Sequence, residues 1–148
     1  FTPVGPGMIP TGEIRPVAGT PFDFRTPAAL GARLESRDPQ LLLGQGYDHN
    51  WVIDAAGRGI ARHASVYEPV TGRVLEVLST APGLQFYSGN LLDGSAIGKH
   101  GRRYGRHAGL CLEPQHFPDS PNQPHFPSTV LAAGAAYTST IVYRFSVR

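Results

Sequence analysis

The stretch "YTSTIVYRFSV", Tyr137 to Val147, puts Tyr137, Ser139, Ile141, Tyr143, Phe145 and Val147 on one face of an extended chain and Thr138, Thr140, Val142, Arg144 and Ser146 on the other. A period of two in β-branched and aromatic residues predicts a strand. Working back from it, "GIARHASVYEP" (59–69) sets Ile60, Ala64 and Val66 against Arg62 and Ser65. "VLEVLST" (74–80) returns across the Gly-bearing "PVTGR" (69–73) as its hairpin partner. "NWVIDA" (50–55), "LQFYSG" (84–89) and "GLCLE" (109–113) predict further strands, and "TPFDFR" (20–25) a short half-buried one. Strands joined by Gly/Pro turns predict an all-β, antiparallel β-sandwich or barrel. One helix is expected, over "TPAALGARLES" (26–36), with Thr26 as N-cap and Pro27 at the first helical position. Five prolines and four glycines in residues 1–21 predict extended segments and turns there.

At 148 residues the chain is long enough for a real core, and no domain boundary or repeat breaks 1–148. Hydrophobic residues make up 41% and charged ones 16%, which excludes a disordered chain. A formal charge of +2 from scattered basic residues argues against nucleic acid and anionic membranes as partners. No apolar stretch reaches bilayer length. Cys111 is the only cysteine, which suits a reducing, cytoplasmic setting. The start "FTPVGPGMIP" has neither the basic nor the apolar region of a signal peptide and reads like the middle of a chain, so a piece of a longer protein is expected.

Three places could carry chemistry. In "GLCLEPQHFPDSPNQPHFPS" (109–128), Glu113 sits in a short apolar run, sharing a strand face with Cys111 and Gln115. Pro114 cannot donate to a ladder, so the strand is an edge or ends there. The carboxylate is then either a catalytic group held at a strand end or an acceptor of backbone or Arg hydrogen bonds at a sheet edge. In "GQGYDHNW" (44–51), two glycines deliver Tyr47, Asp48, His49 and Asn50 ahead of an apolar strand. Such a cluster can bind hydroxyls, or it is a turn whose Asp48 and Asn50 cap their own backbone. In "PGLQFYSGN" (82–90), an aromatic beside an amide suits a sugar ring, or Phe86 is core. The six histidines show no zinc-site spacing, so no metal is expected. The prolines at 118, 121, 124 and 127 fit an ordered surface loop better than a polyproline ligand.

These three segments, together with "FTPVGPGMIPTGEIRPVAGTPFDFR" (1–25) and "STIVYRFSV" (139–147), resemble the aldose 1-epimerase (galactose mutarotase) family in content and order. The resemblance covers essentially the whole chain. It implies the large antiparallel β-sandwich of that family, here its C-terminal portion. The implied activity is interconversion of the α and β anomers of free aldoses such as galactose and glucose, with a monosaccharide substrate and no cofactor. Residue by residue, Glu113 matches the family's general base, Asp48 a substrate-hydroxyl ligand, and Gln85 and Phe86 cleft residues beside the sugar. Pro114 departs from the family's usual Thr, and "GPG" (5–7) from a more polar stretch. The family's general-acid histidine belongs to a motif this chain does not contain. His107 lies six residues before Glu113, about 20 Å along a continuous strand, and the odd spacing of His116 sends it to the other face. The missing N-terminal portion of the same enzyme is therefore the expected partner that supplies the acid. A non-catalytic carbohydrate-binding or structural fragment of the same fold is the alternative.

Overall fold

The computed structural model describes residues 1–54, 57 and 59–148. Among the described residues six strands form two three-stranded sheets: β1 (Asp48–Val52), β4 (Gly83–Tyr87) and β5 (Cys111–Gln115) in the order β1-β4-β5, and β2 (Ala61–Tyr67), β3 (Arg73–Ser79) and β6 (Ile141–Val147) in the order β2-β3-β6. The all-β expectation holds. The chain divides into two compact units, residues 1–50 with 85–111 and residues 51–84 with 112–148.

The first unit is built around aromatic rings. Phe1 stacks on Phe22 at 4.3 Å, Phe22 meets Tyr47 edge-on at 5.6 Å, and Tyr47 stacks on Phe86 at 5.2 Å. Phe1, Phe22, Tyr47 and Phe86 are all buried. Residues 20–25 contribute Phe22 to this core without forming the predicted strand. The Thr20 hydroxyl accepts the Phe22 N–H, and the Thr20 carbonyl accepts the Asp23 N–H, so local turns use the groups a ladder would need.

The predicted helix over 26–36 is also absent. Only a 3-10 turn, Leu30–Arg33, forms, and it carries no side-chain cap. With Gly31 inside it and its bonds spanning three residues, the stretch lacks what a longer helix needs. Among the described residues the α-helix lies further on, as α1 (Pro39–Gly44). Asp38 accepts the Gln40 N–H, Pro39 occupies the first turn, and Gln45 ends the helix in a left-handed conformation. The pair Asp38-Pro39 was the signal for it. From α1, the Gln40 side chain clamps the N-terminal segment: Oε1 accepts the Val4 N–H at 2.7 Å and Nε2 donates to the Val4 carbonyl at 2.8 Å.

In the second unit β2 and β3 form the expected antiparallel hairpin, with Glu68 accepting the Val70 and Thr71 N–H groups in the turn. The register shifts between Arg62 and Ala64, leaving His63 as a bulge. This explains why Arg62 faces solvent with Ser65 although the two differ in parity. β3 is central, and Val77 and Ser79 are buried. β6 pairs with β3 along its whole length, from Arg73 opposite Val147 to Ser79 opposite Ile141. The strand is shorter than predicted, because residues 137–140 lie outside it, and each of its residues is exposed. Phe145 is 75% exposed and Val147 73%. The proline-rich loop is ordered: Phe117 and Phe126 meet edge-on at 5.2 Å, and the Ser120 hydroxyl donates to the Phe117 carbonyl.

Candidate active site

In the first unit the turn from α1 into β1 is fixed by side chains of the segment after β4. The Asn90 amide donates to the Gly44 carbonyl at 2.7 Å and to the Tyr47 carbonyl at 2.9 Å. The Ser88 hydroxyl accepts the Tyr47 N–H at 3.0 Å, and the Ser88 N–H donates to the Tyr47 carbonyl at 2.9 Å. Gly46 lies between them with φ +135°, and a Cβ there would strike the Asn90 side-chain oxygen Oδ1 and come within 2.9 Å of Ser88 Oγ. Only glycine fits both the conformation and the space.

The four polar residues of "YDHN" are not presented together. Tyr47 is buried, its hydroxyl donating to the Pro21 carbonyl at 2.9 Å. Burial raises the Tyr47 phenol to about 12. His49 and Asn50 are buried as well, and burial lowers His49 to about 4, so its ring is neutral at neutral pH. Asp48 alone keeps partial access to solvent. Gln85 Nε2 donates to Asp48 Oδ1 at 2.8 Å. The pair therefore joins two predicted site residues from β1 and β4. Gln85 Oε1 has no hydrogen-bond partner among the described residues. Asp48 keeps its second carboxylate oxygen for hydroxyl donors, whereas Gln85 Oε1 is itself buried. Phe86, next along β4, is packed in the core against Tyr47 and Phe24.

In the second unit Glu113 is exposed on β5, and among the described residues no hydrogen bond or ion pair holds its carboxylate. The apolar run around it does not bury it. β5 continues through Pro114 to Gln115, and it is the edge strand that the proline demands. The Leu112 carbonyl accepts the Tyr143 hydroxyl at 3.3 Å, tying the peptide ahead of Glu113 to β6. His116 follows, its ring 6.1 Å from that of Tyr137. His107, in the first unit, is tied through Nδ1 to the Ser88 carbonyl at 2.7 Å. Among the described residues no cluster of three or more His, Cys, Asp or Glu side chains could hold a metal ion, and no helix is long and apolar enough to cross a membrane.

Sequence reasoning missed the supports of the site. Ser88 and Asn90 lie within the "YSGN" string, but nothing in their spacing says that they reach back to residues 44–47.

The aldose 1-epimerase family profile matches residues 1–144. The chain is 46% identical to human galactose mutarotase, over 99% of this chain and 41% of that protein. It is 38% identical to the aldose 1-epimerase of Escherichia coli K12, over 98% of this chain and 42% of that protein. The crystal structure of a GalM/aldose epimerase homologue from C. elegans superposes with a TM-score of 0.79 and 30% identity, over 99% of this chain and 43% of that one. The chain thus spans well under half the length of the relatives it matches, and over that span it belongs to the aldose 1-epimerase family.

Proposed function

We propose that this chain carries the general base and the hydroxyl ligands of an aldose 1-epimerase that interconverts the anomers of free aldoses such as galactose and glucose. The observation that supports this most is the Asp48–Gln85 pair, bonded at 2.8 Å with Asp48 keeping partial access to solvent, in a chain of this family. In this reading Asp48 and Gln85 bind sugar hydroxyls, and Phe86 backs Gln85 from the core. Glu113 takes the proton of the anomeric hydroxyl while an acid protonates the ring oxygen, and the ring opens. Rotation about C1–C2 and closure on the other carbonyl face give the other anomer. Base and acid must stand in opposite protonation states. The acid and the rest of the sugar site come from the portion of the relatives that this chain does not span, which makes that portion its partner. The single cysteine is consistent with work in the cytoplasm.

Polarimetry of freshly dissolved α-D-galactose tests the reading. The 148-residue chain alone should not speed the approach to anomeric equilibrium, whereas the longer enzyme should. If the chain alone matches the longer enzyme, the acid lies within it, at His100, His107 or His116, and the division of labour proposed here is wrong.

A further inference from the structure

The peptide plane between Tyr47 and Asp48 is held from both sides. Its carbonyl accepts the Ser88 N–H at 2.9 Å and the Asn90 amide at 2.9 Å. Its N–H, that of Asp48, donates to Nδ1 of the next side chain, His49, at 3.1 Å. An imidazole nitrogen that accepts a hydrogen bond carries no proton, so the ring is the Nε2–H tautomer. The ring cannot turn away. Phe22 meets it edge-on at 4.8 Å and Phe1 at 6.3 Å, and Gly44 leaves room where a Cβ would lie 3.2 Å from Cε1. His49 is fully buried, and its Nε2 has no hydrogen-bond partner among the described residues. A buried N–H left unpaired costs free energy. Packing alone would be served better by an apolar ring, so the histidine needs another reason. Among the described residues, the hydrogen bond its ring makes is the one it accepts from the Asp48 N–H.

We propose that His49 is a positioning residue: by taking the Asp48 N–H it fixes the peptide plane on which the Asp48 carboxylate is mounted, and so aims that carboxylate at the sugar. The proposal rests on the reading of Asp48 as a hydroxyl ligand. A peptide unit is rigid and planar, so fixing both its carbonyl and its N–H fixes where the Asp48 Cα stands, and the extended backbone of β1 then sets the direction in which Cβ leaves it. Gln85 then sets the last torsion by holding Oδ1, and Oδ2 is left for the substrate. A misaimed carboxylate loses much of a charge-assisted hydrogen bond, which makes the expected effect one on sugar affinity.

Two variants separate aiming from packing, because their stabilities and affinities should rank in opposite orders. Asn at 49 keeps an acceptor near the place of Nδ1 but buries a polar amide, whereas Leu fills the site and has no acceptor. Calorimetric titration of the longer enzyme with galactose should show His49→Leu binding roughly tenfold more weakly than the parent. His49→Asn should stay within about threefold of it, although it melts at the lower temperature. If His49→Leu binds galactose as well as His49→Asn does, the proposal is overturned. A reading that needs no variant stands beside this one: in the parent protein the Asp48 amide should exchange with deuterium no faster than that of Ser88. Free exchange at Asp48 overturns the proposal even if His49→Leu fails to fold. An Asp48→Ala protein with unchanged galactose affinity would remove the underlying reading of Asp48, and the proposal with it. Loss of affinity in Asp48→Ala but not in His49→Leu would overturn the proposal alone.

Discussion

The aromatic run of the first unit and strand β6 of the second bury their apolar residues to very different extents. In the first, a run of stacked and edge-on rings from Phe1 through Phe22 and Tyr47 to Phe86 is closed to solvent, and the site pair Asp48–Gln85 stands on strands rooted in it. In the second, β6 pairs with β3 along its full length yet every residue of β6 is exposed. Glu76 of β3 meets Arg62 of β2 and Arg144 of β6 across the sheet, pairs exposed enough to add little stability. A complete hydrogen-bonded ladder is therefore not a closed core. Backbone pairing sets register, while burial of side chains supplies most of the free energy. The difference teaches where single substitutions should register: in folding for the aromatic run, in chemistry or association for the exposed residues of β5 and β6.

The largest effect should come from the second unit and should leave the fold alone. Glu113→Gln in the longer enzyme should lower kcat by roughly 10²–10⁴-fold, with the melting temperature almost unchanged because Glu113 is exposed. Turnover above about a tenth of the parent, measured by polarimetry, would end the assignment of Glu113 as base. Next, Phe22→Ala should destabilise the first unit by about 3–5 kcal/mol in urea titrations, since Phe22 is fully buried among rings. A loss below 1 kcal/mol, on the order of a surface change, would break the contrast between the units.

The third effect is pH-dependent. Burial lowers His49 to about 4 from 6.5, with Asp38 opposing the shift. Below 6.5 the unfolded chain takes up a proton that the folded chain refuses until about 4. Stability should therefore fall as pH drops through that window, by about 3 kcal/mol at about 1.4 per unit, and His49→Leu should flatten the fall. Equal slopes in parent and variant would contradict the burial of a neutral ring. Asp48→Ala should cost about 1.5–3 kcal/mol of galactose binding, read by calorimetry. The smallest effect belongs to Phe145→Ala, which should change stability by no more than about 0.5 kcal/mol because the ring is 75% exposed. A loss comparable to that of Phe22→Ala would mean that β6 is packed in solution.

Local chemistry was legible in the sequence and long-range closure was not. Glycines 44 and 46 and the alternation from 59 to 79 mark a turn and a hairpin that the structure contains, because turns and ladders depend on neighbours in sequence. Even the uneven parity of Arg62 and Ser65 recorded the bulge at His63. Residues 20–25 misled because Phe22 and Phe24 alternate as in a strand, while Thr20 and Asp23 captured the backbone in turns. The exposure of Glu113 was not legible. Its apolar neighbours in sequence say nothing of how much covers the strand edge, and the structure leaves it exposed. Asp48 and Gln85 were each legible as polar residues at strand positions, but the bond between them joins residues 37 apart, which no local pattern encodes.

The clamp of Gln40 on Val4 has a consequence for how the first unit folds. One side chain supplies both hydrogen bonds of a strand rung, across 36 residues of chain. Closing so long a loop has an entropic cost that two hydrogen bonds alone do not offset. The six-residue α1 that carries Gln40 is too short to persist by itself. The rung and the helix must therefore form in one cooperative step with the burial of Phe1 and Phe22. Once formed they should open together, so that the amides of Val4 and of α1 report one shared opening event and not two.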